Sequence, residues 1–256
     1  MAVLRIARMG NPVLAQVAAP VVDPRAPEIR HLASDMIDTL EDIGASGLAA
    51  PQVFVSKRVV VYRMIAARIP KGSGIEPRPW TVMVNPVITP KTPDKTPVWE
   101  RCLSIPGLHG KVPRYSRISI TYRTLDDETV SHDAHSSWAA LLQHECDHLD
   151  GIVYPMRMTD LGLLAYNEEP GQLAREVAAD PGSIDPLFVD LVARWPGRGR
   201  SPRSEALASR SITMSRCWPA VSPSSASTRR MTATKRTKRK SGAPTELPRA
   251  RAAPSG

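Results

Sequence analysis

Residues 143–151 read QHECDHLDG. An α-helix advances about 100° per residue, so His144 and His148 stand one above the other on a single face. Two imidazoles placed in this way can grip one metal ion. Glu145, next to the first, leans over the ion's open side, where a carboxylate can take a proton from water. Cys146 falls about 200° round the helix from His144 and cannot join the pair. The bland alternative is a surface helix with incidental histidines. The required residue types at the required offsets, in a helix anchored by apolar residues, favour the metal.

Two histidines leave the site incomplete, because a catalytic zinc-like centre needs three protein ligands and one open position. Three continuations are available. The pattern H-E-x-x-H-x-x-G-x-x-H finds its glycine in Gly151 but meets Tyr154 where its third histidine belongs. A glutamate from a later segment, Glu168 or Glu169, is a second candidate, although YNEEPG reads as a helix end or turn. The third is an upstream cysteine in WERCLSIPG: a Cys102 thiolate would make a His2Cys site suited to zinc or ferrous iron.

The helix that must carry this motif spans residues 136–150. Residues 28–43 (EIRHLASDMIDTLEDI) repeat Ile29, Leu32, Ala33, Met36, Ile37, Leu40 and Ile43 at helical spacing and stop at Gly44. Residues 58–64, 81–87 and 118–124 read as strands, and PKGSGIEPRP and TPKTPDKTP between them as loops. Loops too short for repeated crossovers predict an α+β fold, with mainly antiparallel sheets around the motif-bearing helix. In residues 184–195 (IDPLFVDLVARW), Asp185 suits an N-cap and Pro186 the first turn. Its apolar face (Ile184, Leu187, Phe188, Leu191, Val192 and Trp195) should dock on the body.

The formal charge of +9 invites a nucleic-acid reading that its distribution refuses. Residues 194–256 hold 15 Lys+Arg against 2 Asp+Glu, and the rest of the chain 19 against 23, so the body is slightly acidic. Two regions are therefore expected: a catalytic domain over 1–197, and a basic low-complexity tail over 198–256 too poor in apolar residues to fold. Three cysteines without a secretory signal point away from disulfides, and a cytoplasmic location is expected. No stretch approaches the roughly 20 apolar residues that cross a bilayer, so no membrane partner is expected.

Three blocks occur in order: GLAAPQ (47–52), ERCLS (100–104) and QHECDH (143–148). With RMGNPVL near the start and VPR at 112–114, they resemble the peptide deformylases over roughly residues 2–197. The resemblance implies an enzyme that removes the formyl group from the initiator methionine of new proteins. It implies Cys102, His144 and His148 as metal ligands and Glu145 as acid and base. The implied metal is ferrous iron (Fe2+), with zinc, nickel or cobalt able to replace it. The side-chain amide of Gln52 is expected to hold the developing oxyanion, and the resemblance adds the backbone N–H of Leu103. It also makes Gly47 a main-chain partner for an extended peptide, and Glu100 and Arg114 an ion pair supporting the ligand loop.

Ala140 and Leu141, one helical turn before His144, should line an apolar pocket for methionine. His31, His109, His132 and His135 read as surface or loop histidines, and Asp147 as a supporting or solvated group.

Three positions depart from the family pattern. Ala45 opens a segment that normally reads Gly-x-Gly. Arg101 replaces the glycine of Glu-Gly-Cys-Leu-Ser, and Ser136-Ser137 replaces a Gly-aromatic pair before the helix. The expected partners are N-formyl-methionyl nascent peptides and, through KRTKRK at 235–240, the ribosome. Two rival readings remain: a metalloendopeptidase, which has no use for Cys102, and a catalytically impaired deformylase-like protein with an RNA-binding tail.

Overall fold

The structure, a computed structural model, describes residues 2–195. The expected boundary at 197, the basic tail and Cys217 lie outside the described residues. Helix α1 (Pro27–Ile43) closes where Gly44 donates its N–H to the Leu40 carbonyl. It is followed by β1 (Gly47–Ala49), β2 (Val59–Met64), β3 (Arg78–Pro90), β4 (Lys95–Cys102), β5 (Ile105–Tyr115), β6 (Arg117–Arg123) and β7 (Thr129–His135). Helix α2 (Ser136–Leu149), β8 (Ala165–Tyr166), α3 (Gly171–Ala179) and α4 (Pro186–Ala193) complete the chain. The strands form one sheet in the order β1-β2-β3-β6-β7 and a second in the order β4-β5-β8, and every pair of named strands is antiparallel. The fold is the expected α+β, with the two sheets around α2.

Alternation along β2 shows why VVVYRM is apolar throughout. Val59 and Val61 pack under α1 with Ile29, Ala33, Met36 and Leu40. Val60 and Tyr62 face the other way, against Trp138, Ala139, Leu142 and Cys146 of α2. A strand covered on both faces has no side for polar residues. Each fully buried side chain of this kind contributes about 1.5–3 kcal/mol. Cys146 is thus a core residue on the face of α2 turned away from the histidines.

Several sequence expectations need correction. TPKTPDKTP is mostly strand, because β3 runs to Pro90 and β4 starts at Lys95. Helix α3 was not anticipated, and it is the element on which α4 docks: Leu173 and Val177 meet Phe188 and Val192, with Trp99 alongside. The expected Asp185 cap is present, its carboxylate accepting from the Leu187 N–H at 2.8 Å. His109 is not a surface histidine; it is fully buried on β5 against Trp99. His132, on β7, is half-buried and stacks on Trp138. Among the described residues no helix is long and apolar enough to cross a membrane.

Candidate metal centre

Helix α2 is buried nearly all round, although Gln143, His144, Glu145, Asp147 and His148 are polar. Buried polar groups need partners, and the β4–β5 hairpin supplies most of them. Gln143 donates to the Tyr115 and Ala139 carbonyls and accepts the Tyr115 N–H, which locks α2 to β5. Asp147 accepts from Arg114 and Arg157, so it is paired rather than solvated. The sequence assigned no role to Gln143 or Arg157; the only signal for them was an unbroken polar run in a helix that has to be buried.

Cys102 lies at the end of β4, where the two-residue turn Leu103-Ser104 leads into β5. That turn brings its Sγ to 3.3 Å from His148 Nε2. Single donor atoms of Cys102, His144 and His148 all lie within 4.8 Å of one another, and all three residues are buried. Glu168 and Glu169 are exposed and take no part in the cluster. Tyr154, in the place of a third histidine, stacks its ring on His144 with centroids 6.2 Å apart. Gly151 serves another purpose: a Cβ there would lie 2.9 Å from the Ala15 backbone, so the chain after α2 can only pass that close as glycine.

The surroundings fit a divalent cation. Glu100 Oε2 accepts from His144 Nδ1 at 2.7 Å, which fixes the tautomer and leaves the Nε2 lone pair to bind an ion. The same carboxylate is held by Arg114, with Nε to Oε1 at 2.6 Å and Nη2 to Oε2 at 3.0 Å. Burial opposes ionisation of Glu100, but these hydrogen bonds keep its carboxyl below the ordinary range. Burial would strip the proton from His144, yet Cys102 and Glu100 beside it raise its pKa well above the usual value. Cys102 and Glu100 thus favour a positive charge on Nε2, a place that a metal ion would take from the proton. His148 is driven the opposite way, by burial and by the charges of His144 and Arg114, and presents a neutral imidazole. One soft thiolate and two imidazoles suit zinc, ferrous iron and related ions.

Glu145 is buried, and among the described residues its Oε2 has no hydrogen-bond partner. Burial pushes its carboxyl up to about 7. Gly47 makes room for it, since a Cβ there would fall 2.3 Å from Glu145 Oε1. Gln52 is oriented by accepting the Ala49 N–H at Oε1, 2.9 Å away. Its Nε2 then points to Ser104 Oγ at 3.2 Å and Cys102 Sγ at 3.5 Å. The N-terminal segment ties these loops together: the Ala7 N–H donates to the Gln52 carbonyl and the Met9 N–H to that of Ser104.

A cleft of about 1010 Å³ opens over the cluster. Gly47, Gln52, Leu103, Ala140, Leu141, His144 and Glu145 all line it. Leu142 turns into the core instead, whereas Leu141 is half-buried at the cleft. The segment from α3 to α4 supplies the far wall, pinned by Arg68–Asp185 at 3.5 Å and Lys111–Glu176 at 2.7 Å.

An α+β scaffold that gathers a thiol, two imidazoles and an adjoining buried carboxylate under an open cleft defines a mononuclear metallohydrolase. The comparisons carry this further. The polypeptide deformylase profile matches residues 3–163. Peptide deformylase 1 of Nitrosomonas europaea is 43% identical over 171 residues, covering 65% of this chain and 95% of that protein. A crystal structure of the class I type b peptide deformylase from Acinetobacter baumannii superposes with a TM-score of 0.57 at 34% identity, over 62% of this chain and all of that one. The same enzyme bound to Met-Ala-Ser gives 0.55 at 33%, over 61% of this chain and all of that one. The chain belongs to the polypeptide deformylase family, metal-dependent hydrolases that take the N-formyl group off nascent peptides.

Proposed function

We propose that the cleft carries out this reaction on formyl-methionyl peptides, with Cys102, His144 and His148 holding the ion and Glu145 moving the proton. The observation that carries the assignment is Cys102 Sγ at 3.3 Å from His148 Nε2, beside the buried Glu145 carboxylate, whose Oε2 has no hydrogen-bond partner among the described residues. A bound divalent cation supplies Lewis acidity, making hydroxide available at neutral pH and polarising the formyl carbonyl. Glu145 Oε2 accepts the proton from water and returns it to the departing amine nitrogen, releasing formate. Gln52 Nε2 and the Leu103 N–H donate to the oxygen that becomes negative, a type of contact worth about 2.7–4 kcal/mol per donor.

The peptide lies along β1, which among the described residues is an edge strand with one unpaired side at Gly47. Its methionine side chain enters beside Ala140 and Leu141. Glu100 and Arg114 position His144 and the hairpin without touching substrate. We take ferrous iron as the native ion, because the Cys/His2 set favours soft and borderline metals. We also place the reaction in the cytoplasm, with nascent chains as substrate and the ribosome as a partner of residues 198–256.

The test is formate release from formyl-Met-Ala-Ser by anaerobically purified protein, with metal analysis of the same sample. One ion per chain and rapid formate release are expected. Glu145→Gln should keep the metal and lose about 10²–10⁴-fold in kcat/KM. Full metal content without formate, or cleavage of internal peptide bonds instead, would overturn the reading.

A further inference from the structure

Five basic side chains line the cleft, and three of them are neutralised: Arg68 by Asp185, Lys111 by Glu176 and Arg114 by Glu100. Lys71 stands on the loop after β2. Arg101 is different in kind. It is exposed on the cleft wall, one residue before Cys102, and among the described residues no carboxylate lies within 4.0 Å of its guanidinium. It also takes no side-chain hydrogen bond and covers no aromatic ring there, unlike Arg63 over Trp80 and Arg78 over Trp138. Its φ is not positive, so this arginine in a glycine position costs no backbone strain.

Resting on the deformylase reading above, we propose that Arg101 is a specificity residue that binds a carboxylate carried by the substrate downstream of formyl-methionine. The carboxylate is either an acidic side chain or the C-terminus of a short peptide. A peptide seated with its formyl group at the metal cluster runs between β1 and β4. An extended chain advances about 3.3 Å per residue, so the second and third residues after methionine lie roughly 7–10 Å from the methionine Cα, which itself sits about 2–3 Å from the formyl carbon. A long side chain rooted beside Cys102 covers that span. A guanidinium offers paired donors matched to a carboxylate, and the walls of a cleft screen the pair less than open water does.

Four peptides decide it: formyl-Met-Ala-Xaa-Ala-amide with Xaa Glu, Gln or Lys, and formyl-Met-Ala-Gln with a free C-terminus. For the wild-type protein kcat/KM should fall in the order Glu, Gln, Lys, with Glu exceeding Gln about five- to tenfold at low salt and less at high salt. The free-acid peptide shows whether a terminal carboxylate is read as well. Arg101→Gln should bring the Glu/Gln ratio to about one, and Arg101→Glu should invert it. Equal rates for Glu and Gln in the wild type, or a preference that survives Arg101→Gln, would overturn the proposal. Each ratio is internal to one protein sample, so a change in folding does not mimic the effect. If no peptide yields formate, the deformylase reading fails. The proposal is then decided by the affinities of Met-Ala-Glu-Ala-amide and Met-Ala-Gln-Ala-amide, measured calorimetrically on wild type and Arg101→Gln.

Discussion

Helix α2 and the β4–β5 hairpin contribute to the same cluster by opposite means. The helix places His144 and His148 by its own periodicity, so their relative position is a local property of the chain. The hairpin places Cys102 through contacts distant in sequence: Arg114 to Glu100 and Asp147, Glu100 to His144, Gln143 to Tyr115, and the N-terminal segment to Ser104. Two ligands are therefore built in by local structure, and the third depends on tertiary structure. The hairpin is the part of the site most open to perturbation.

The largest effect should come from removing the third ligand. Cys102→Ser exchanges a soft thiolate for a hydroxyl that stays protonated at neutral pH. Metal content should fall from about one ion per chain to a small fraction, and formate release with it. Far-UV circular dichroism should stay unchanged, because α2 is held by Trp138, Leu142 and Leu149 in the core rather than by the ion. Full metal occupancy in Cys102→Ser would show that the helix pair suffices and would end the comparison.

A smaller effect should follow from loosening the link between the two elements. In Glu100→Gln an amide oxygen at the Oε2 position can still accept from His144 Nδ1 and Arg114 Nη2, but its NH2 then faces the Arg114 Nε–H, and among the described residues the buried Arg114 keeps only Asp147 as counter-charge. Metal affinity should drop about 10–100-fold, as for other partners of metal-ligating histidines. A chelator competition titration measures this. An affinity equal to wild type would show that His144 is oriented by the helix alone.

The same contrast explains what the sequence made legible. The spacing of His144, Glu145 and His148 is a helical offset, and β2 was recognisable because both of its faces are apolar. Strand β4 was hidden because KTPVWERC does not alternate, and Pro97 within it reads as loop. Pro97 and Pro113 are tolerated as register partners because, among the described residues, β4 is a sheet edge and β8 pairs only with Leu108 and His109. At both positions one side of the strand has no donor to supply. Cys102 as a ligand therefore came from the family pattern and not from local structure. Helix α3 was missed because nine residues give a periodic signal too short to register, and its role as cleft wall is purely tertiary.

The smallest effect concerns where the two elements meet, at the start of α2. Ala45 and Arg101 depart from the family's glycines without strain, since neither has a positive φ. Ser136 does not: its φ is +52°, the left-handed region that favours glycine. The helix also begins without a side-chain N-cap, because His135 occupies that position with no such bond. A residue with a Cβ pays about 1–2 kcal/mol for left-handed backbone, while glycine costs roughly 0.5–1 kcal/mol of extra entropy on folding. Ser136→Gly should therefore stabilise the protein by about 0.5–1 kcal/mol, a rise in Tm of roughly 1–4 °C for a domain this size. Ser136→Val should lower Tm, because a β-branched side chain is worse still in this region. Both changes keep the backbone N–H of residue 136 that donates to the Ser116 carbonyl next to the hairpin, so the metal affinity of both variants should match wild type. A lower Tm for Ser136→Gly would mean that Ser136 makes a compensating contact at the cleft mouth.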